Sequence, residues 1–343
     1  MSQPVLEVRD LKVEFVSPRA DRPPLQTLRG VSLDIAAGEI LGLVGESGAG
    51  KSLTGAAVLG LLAGGGRISG GEIRFSGQRI DRLPEAEIRV LRGSRIGAVF
   101  QDPMTALDPL MTVGEQLVET IRTHRRLSRR QARDHAASLL DSVGVPAAAR
   151  RLSQYPHQFS GGMRQRVVLA LAMAGEPDLL IADEPTTALD VSVQAQVLAL
   201  FRELCDARGT AVMLVTHDMG VVAEICDRVG VMYAGRIVEI GSVDDVLERP
   251  AHPYTEGLLR SIPALDAPRE PRLWQIPGAM PRPAAVPEGC AYHPRCPRAQ
   301  EICRRGNTPL LGVSMRDVAC HFPNRSWSST VSIGRSSAAE ARP

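Results

Sequence analysis

Short apolar runs recur along the chain with little polar interruption. Ile40-Leu41-Gly42-Leu43-Val44, Ile96-Gly97-Ala98-Val99-Phe100, Leu179-Leu180-Ile181-Ala182 and Ala211-Val212-Met213-Leu214-Val215-Thr216 are of this kind. Continuous apolar runs of strand length predict strands buried on both faces, as in a parallel sheet. Residues 5–16 instead alternate apolar and polar and predict edge strands. A loop with Pro18, Pro23 and Pro24 then precedes another strand at 31–35. From residue 101 to about 160 the spacing becomes helical, with Leu139, Leu140 and Val143 at helix intervals, and 163–173 is helical as well. Core strands return at Leu179, Ala211 and Val229. After Gly241 the character changes. Residues 263–287 are proline-rich with little periodicity and read as an extended connector, and from about Ser326 the serine, alanine and arginine content predicts disorder. The expected class is α/β: a mainly parallel core, an antiparallel β subdomain, a helical subdomain and a small Cys-containing C-terminal extension.

Composition narrows the picture. The chain has 343 residues, 44% of them hydrophobic, enough for a well-packed soluble chain of more than one domain. Its formal net charge of +2 gives no basic excess of the sort a nucleic-acid-binding face needs, so no nucleic-acid partner is expected. The longest apolar run, 167–175, is too short to span a bilayer, and no charged and then apolar leader opens the chain. Contact with a membrane is therefore expected only through partners. The basic run 122–133 reads as a solvated helix face.

Candidate chemistry gathers at three places. Gly45-Glu46-Ser47-Gly48-Ala49-Gly50-Lys51-Ser52 fits G-x-x-x-x-G-K-[ST] and follows the apolar run 40–44. Glycines let backbone N–H groups converge on phosphate oxygens, and the helix that follows points its positive end at the same anion. Lys51 is expected on the β- and γ-phosphates and the Ser52 hydroxyl on Mg²⁺. Lysine occurs only at Lys12 and Lys51. In a chain so biased toward arginine, a compact ammonium at this position points to phosphate rather than a chance glycine turn. Asp183 and Glu184 end the apolar run 179–182, where open α/β sheets collect ligands. Asp183 is expected to hold Mg²⁺ through water and Glu184 to deprotonate the attacking water, although paired acids at a strand end can also cap a helix. Ser160, Gly161 and Gly162 precede a helical stretch and make a second helix start able to receive an anion.

With these motifs in this order, the chain resembles the nucleotide-binding subunits of ATP-binding-cassette (ABC) transporters, which have a P-loop NTPase (RecA-like) core. Ser160-Gly161-Gly162-Met163-Arg164 resembles the family's signature loop, which binds the γ-phosphate of ATP held by a partner's phosphate loop, so that two subunits sandwich two nucleotides. Gln101 resembles the glutamine that senses Mg²⁺ and water, His217 the switch histidine on the γ-phosphate, Asp190 the aspartate of the loop that crosses between subunits, and Phe15 the aromatic that stacks on adenine. The resemblance implies a nucleotide-binding domain over 1–241, with its helical subdomain at about 101–160. A connector (242–287), a Cys-rich domain (288–323) and a tail (324–343) follow. Arg249-Pro250-Ala251-His252-Pro253-Tyr254-Thr255, followed by Leu258-Leu259, is similar to a segment of dipeptide, oligopeptide and nickel importers. It implies an ATPase using ATP and Mg²⁺, peripheral on the cytoplasmic side of the cell membrane. Its partners would be two transmembrane permease subunits, an extracytoplasmic solute-binding protein and a second ATPase, either an identical chain or, as is usual for the resembled group, a related F-type chain. Peptides are the expected cargo, with nickel or glutathione as alternatives. DNA-repair and ribosome-acting ABC ATPases share the motifs, but carry a long coiled-coil insertion or fuse two cassettes, and neither feature is present.

Four of the six cysteines, Cys290, Cys296, Cys303 and Cys320, fall in the extension. A disulfide framework is disfavoured in a reducing cytosol, whereas inert thiols, as expected at Cys205 and Cys226, remain open. Four thiolates gathered by turns suit a tetrahedral zinc or an iron–sulfur cluster, and their spacing chooses neither. Some importer ATPases with a similar tail hold a [4Fe-4S] cluster. The resemblance therefore implies that cluster here, with His293 and His321 as spare ligands for zinc.

Overall fold

The structure is a computed structural model, and it describes residues 3–16, 23–100, 106–186, 191–262, 274–306, 308–313 and 316–324. In chain order its strands are β1 (Leu6–Phe15), β2 (Leu25–Ile35), β3 (Ile40–Val44), β4 (Gly66–Phe75), β5 (Gln78–Arg79), β6 (Ile96–Val99), β7 (Leu179–Asp183), β8 (Ala211–Val215), β9 (Arg228–Tyr233), β10 (Arg236–Ser242), β11 (Leu311–Val313) and β12 (Arg316–Val318). The chain divides into two compact units. One holds the residues up to Leu6, Ile35–Glu39 and Phe75–Val215, and the other holds Glu7–Asp34, Ile40–Arg74 and the chain from Thr216 onward. No helix among the described residues is long and apolar enough to cross a membrane.

In the first unit β6, β7 and β8 lie side by side and parallel, with Ile96 opposite Leu179 and Leu179 opposite Ala211. Every residue of β8 is buried, and β7 is buried until Asp183, which is half-buried at its carboxyl end. Apolar side chains on both faces explain why these strands read as unbroken runs. The Gly161–Met173 helix buries Val167, Val168, Leu169 and Ala170. Val113–His124 and Arg129–Ser142 form the helical region, burying Leu117 and Ile121 from one and Leu139 and Leu140 from the other. Each opens on a reciprocal cap. Thr112 N–H donates to the Glu115 carboxylate at 2.8 Å while Glu115 N–H donates to the Thr112 hydroxyl at 3.2 Å, and Ser128 and Gln131 repeat the pattern.

In the second unit β3 pairs parallel with β9, which pairs antiparallel with β10. The sheet then continues into the C-terminal segment: Glu239 of β10 faces Val318 of β12, and β12 pairs with β11. A separate sheet places β1 between β2 and β4. The alternating pattern of 5–16 therefore marks a central strand, not an edge strand, because alternation reports one solvated face and says nothing about lateral neighbours. The core packs Val44, Val222, Val231, Tyr233 and Val246 with Tyr254, Leu259 and Tyr292, and Ile276, Met280 and Val286 lie partly buried against it. Glu239, fully buried, accepts from the Ala251 and His252 N–H groups at 2.8 and 2.9 Å and lies 3.5 Å from Arg316. One carboxylate thus ties the start of the Pro253–Arg260 helix and β12 to β10.

Candidate functional site

The phosphate-type loop belongs to the second unit, running from the end of β3 into the Lys51–Val58 helix. Gly45, Gly48 and Gly50 have φ of 147°, 84° and 107°, a region side chains rarely enter. At Gly45 a Cβ would also lie 2.3 Å from the Met232 carbonyl oxygen, so only glycine lets the chain turn so close to β9. Lys51 is 7% exposed, and its ammonium donates to the Gly45 carbonyl at 2.7 Å and the Glu46 carbonyl at 3.3 Å. The buried stem and the two accepting carbonyls hold the charge over the loop rather than in solvent. Ser52 is exposed in the first helical turn. Ala49 N–H donates to Glu46 O at 3.1 Å, and Gly235 N–H to Ala49 O at 2.9 Å.

Two further predicted residues lie in this unit. Phe15 ends β1, its ring edge against Gly66 at the start of β4. His217 is exposed, between Thr216, whose N–H donates to Leu43 O at 3.1 Å, and Asp218, which caps the Met219–Ile225 helix by accepting the Gly220 N–H at 2.8 Å. Asp218 N–H donates to the Thr216 hydroxyl at 3.0 Å. The histidine is thereby fixed at the end of a core strand.

The first unit carries Asp183, Glu184 and the signature-like turn. Glu184 N–H donates to Val215 O at 2.8 Å, and its φ of 47° is a left-handed backbone that costs a non-glycine residue about 1–3 kcal/mol. Ser160 caps the Gly161–Met173 helix, accepting from Met163 N–H at 3.4 Å. The Arg164 guanidinium donates to Pro156 O at 2.8 Å, holding the preceding turn, and Arg166 reaches Val143 O at 2.8 Å and Gln196 at 3.1 Å. A Cβ on Gly162 would meet Val193 at 2.5 Å, whereas among the described residues a Cβ on Gly161 would meet nothing within 4 Å. Gln101 and Asp190 lie outside the described residues.

The structure brings the four extension cysteines together. Cys290, Cys296, Cys303 and Cys320 line one tight cavity of about 10 Å³ together with His293 and His321, and all six cysteines are free thiols. Cys290 N–H donates to Cys303 O at 2.9 Å and Phe322 N–H to Cys320 Sγ at 3.4 Å. Burial above all, and then the neighbouring thiolates, pushes the Cys320 thiol up to about 11. Burial likewise raises Cys290 and Cys296, with Cys303 adding to both. Thiols so crowded ionise together only around a cation, so the donor chemistry fits a thiolate-bound metal. Yet among the described residues no group of three or more His, Cys, Asp or Glu stands in an arrangement that could hold a metal ion. Shared cavity and coordination geometry are separate tests, and only the first is met.

Sequence reasoning missed two side chains that reach the loop. Arg295 pairs with Glu46 at 2.9 Å, and the Tyr254 hydroxyl accepts the Glu46 N–H at 2.9 Å. Tyr254 belongs to a segment singled out by resemblance, but nothing in its spelling pairs it with residue 46.

The ABC transporter family model matches residues 28–187, and that of the oligopeptide/dipeptide transporter C-terminal region matches 238–303. The chain is 50% identical over 307 residues, 90% of both chains, to the oligopeptide transport ATP-binding protein OppD of Salmonella typhimurium. To the dipeptide transport ATP-binding protein DppD of Bacillus subtilis it is 48% identical over 302 residues, 88% of this chain and 89% of that one. Among solved structures it resembles the ATP-binding cassette MJ0796, a dimer in a post-hydrolysis state bound to ADP and Pi. The TM-score is 0.61 at 27% identity, covering 69% of this chain and 98% of that one.

Proposed function

Because the chain belongs to the ATP-hydrolysing, ATP-binding subunits of the ABC transporter family, we propose that it powers the uptake of di- or oligopeptides from the cytoplasmic face of a cell membrane. Residues 45–52 cradle the triphosphate, with Lys51 on the β- and γ-phosphates. Ser52, Asp183 and Gln101 serve Mg²⁺, Glu184 activates the attacking water, His217 contacts the γ-phosphate and Phe15 stacks on adenine. Catalysis of this kind consists of positioning and charge stabilisation. The observation that carries the reading is the pair of helix starts built to receive an anion: Gly50 before Lys51–Val58, and Ser160 before Gly161–Met173. The second, with open space at Gly161 among the described residues, is offered to the nucleotide of a second ATPase chain, a related F-type subunit. ATP binding then favours the closed pair and hydrolysis releases it, so that two permease subunits alternate access for solute delivered by an extracytoplasmic binding protein. Replacing Glu184 by Gln is expected to leave Mg-ATP binding intact and to lower steady-state turnover by more than about a hundredfold. Hydrolysis at the wild-type rate contradicts the base assignment.

A second reading concerns the extension. We infer that Cys290, Cys296, Cys303 and Cys320 hold a metal group, a [4Fe-4S] cluster by resemblance or zinc as the alternative. Its support is that all four thiols line one cavity. A metal bound there would keep the thiolates ionised and cross-brace the turns that carry them.

A further inference from the structure

Glu46 occupies a variable position of the phosphate-loop pattern, which asks nothing of its side chain, yet it is gripped at three points. The Arg295 guanidinium donates to its carboxylate oxygens at 2.9 and 3.2 Å, its N–H donates to the Tyr254 hydroxyl at 2.9 Å, and its carbonyl accepts from Lys51 at 3.3 Å. Arg295 is itself locked: its side chain is 6% exposed, its Nε donates to Pro277 O at 2.8 Å, and its guanidinium lies 5.8 and 5.9 Å from the Tyr233 and Tyr292 ring centres. Those rings pack edge-on at 5.2 Å, with Tyr254 4.6 Å from Tyr233. Arg295 sits on the turn His293–Arg295, between Cys290 and Cys296, so the cysteine-bearing segment delivers one fixed positive charge to the loop that binds triphosphate.

We propose that Arg295 is a positioning residue for nucleotide binding, which orients Glu46 and neutralises its carboxylate beside the triphosphate, making the extension a part of the ATP site. The inference rests on reading residues 45–52 as the triphosphate loop. Without Arg295 a carboxylate that is 29% exposed faces the approaching polyanion uncompensated. At about 10 Å and an effective dielectric of about 20, one such charge changes affinity by roughly tenfold.

The test is equilibrium titration of full-length protein with a fluorescent ATP analogue and Mg²⁺, alongside thermal melting. Arg295→Met is expected to raise Kd about tenfold, and Arg295→Lys, which keeps the charge, by no more than about threefold. The double variant Arg295→Met/Glu46→Gln is expected to bind no more weakly than Glu46→Gln alone, since the penalty acts through that carboxylate. A merely structural Arg295 would lower melting in Met and Lys variants alike and would not be relieved by Glu46→Gln. If Arg295→Met does not fold, Arg295→Gln carries the same expectation. Wild-type affinity in the Met variant, or multiplicative losses in the double variant, overturns the proposal. Lys51→Ala separates the premise from the inference: if it binds nucleotide like wild type, the loop reading itself fails, whereas its loss with Arg295→Met unaffected sinks only the positioning role.

Discussion

A glycine inside a helix costs about 0.5–1 kcal/mol relative to alanine, so Gly161 and Gly162 each need a reason to be there. Gly162 has one within the chain, since a Cβ would press on the stiff Val193 side chain at 2.5 Å. Gly161 has none among the described residues, where the space around it is open. Its requirement is expected to come from outside, from a phosphate approaching the backbone. Gly162→Ala should therefore lower stability by about 1–3 kcal/mol in a thermal or denaturant melt. Gly161→Ala should leave the melt unchanged or slightly raised and still cut ATPase activity by about tenfold or more. Wild-type hydrolysis by Gly161→Ala removes the phosphate from this turn. Both glycines, like Lys51 and Glu184, could be singled out in the sequence because phosphate-binding motifs restrict residue type at fixed spacing, but the packing of Gly162 on Val193 could not. The grip of Arg295 on Glu46 was not, since 249 residues separate the partners and an arginine among so many carries no mark.

Elements differ in legibility for physical reasons. β3, β6, β7 and β8 are buried on both faces, so their apolar runs announce them. β4 was missed because Gly66, Gly70 and Gly71 and its charged residues dilute the alternation, while its buried residues, Ile73 and Phe75, come only at its end. The helical region could be placed by Leu139 and Leu140, but its starts are set by Thr112 and Ser128, whose partners three residues on complete a capping pattern that reading for apolar period overlooks. Part of the predicted connector packs through Ile276 and Val286, so proline content overstated how free this stretch is, and beyond it β12 extends the main sheet from β10. The extension that follows gathers the four thiols, and the prediction at this scale concerns them. Protein purified without oxygen is expected to contain iron with broad visible absorbance, or zinc in its place, and Cys320→Ser should reduce the metal content. Full-length protein lacking both metals removes this reading and leaves the cysteines as packed thiols.

At the scale of the whole molecule, the proposed function has each nucleotide held between two ATPase chains. The phosphate loop is built in the second unit and the signature-like turn in the first, and the account assigns the turn of one protomer to the triphosphate of its neighbour. On that proposal hydrolysis, dimer closure and transport form one cycle, in which losing the neighbour's Ser160 is expected to resemble losing Lys51. The most direct measurement places a photo-crosslinking side chain at Ser160 in the Glu184→Gln background, in the complex assembled with its partner subunits, and maps the adducts by peptide mass. With Mg-ATP present, adducts are expected on the phosphate loop of another ATPase chain and to be lost without nucleotide. Adducts confined to the same chain, or indifferent to ATP, contradict the shared site.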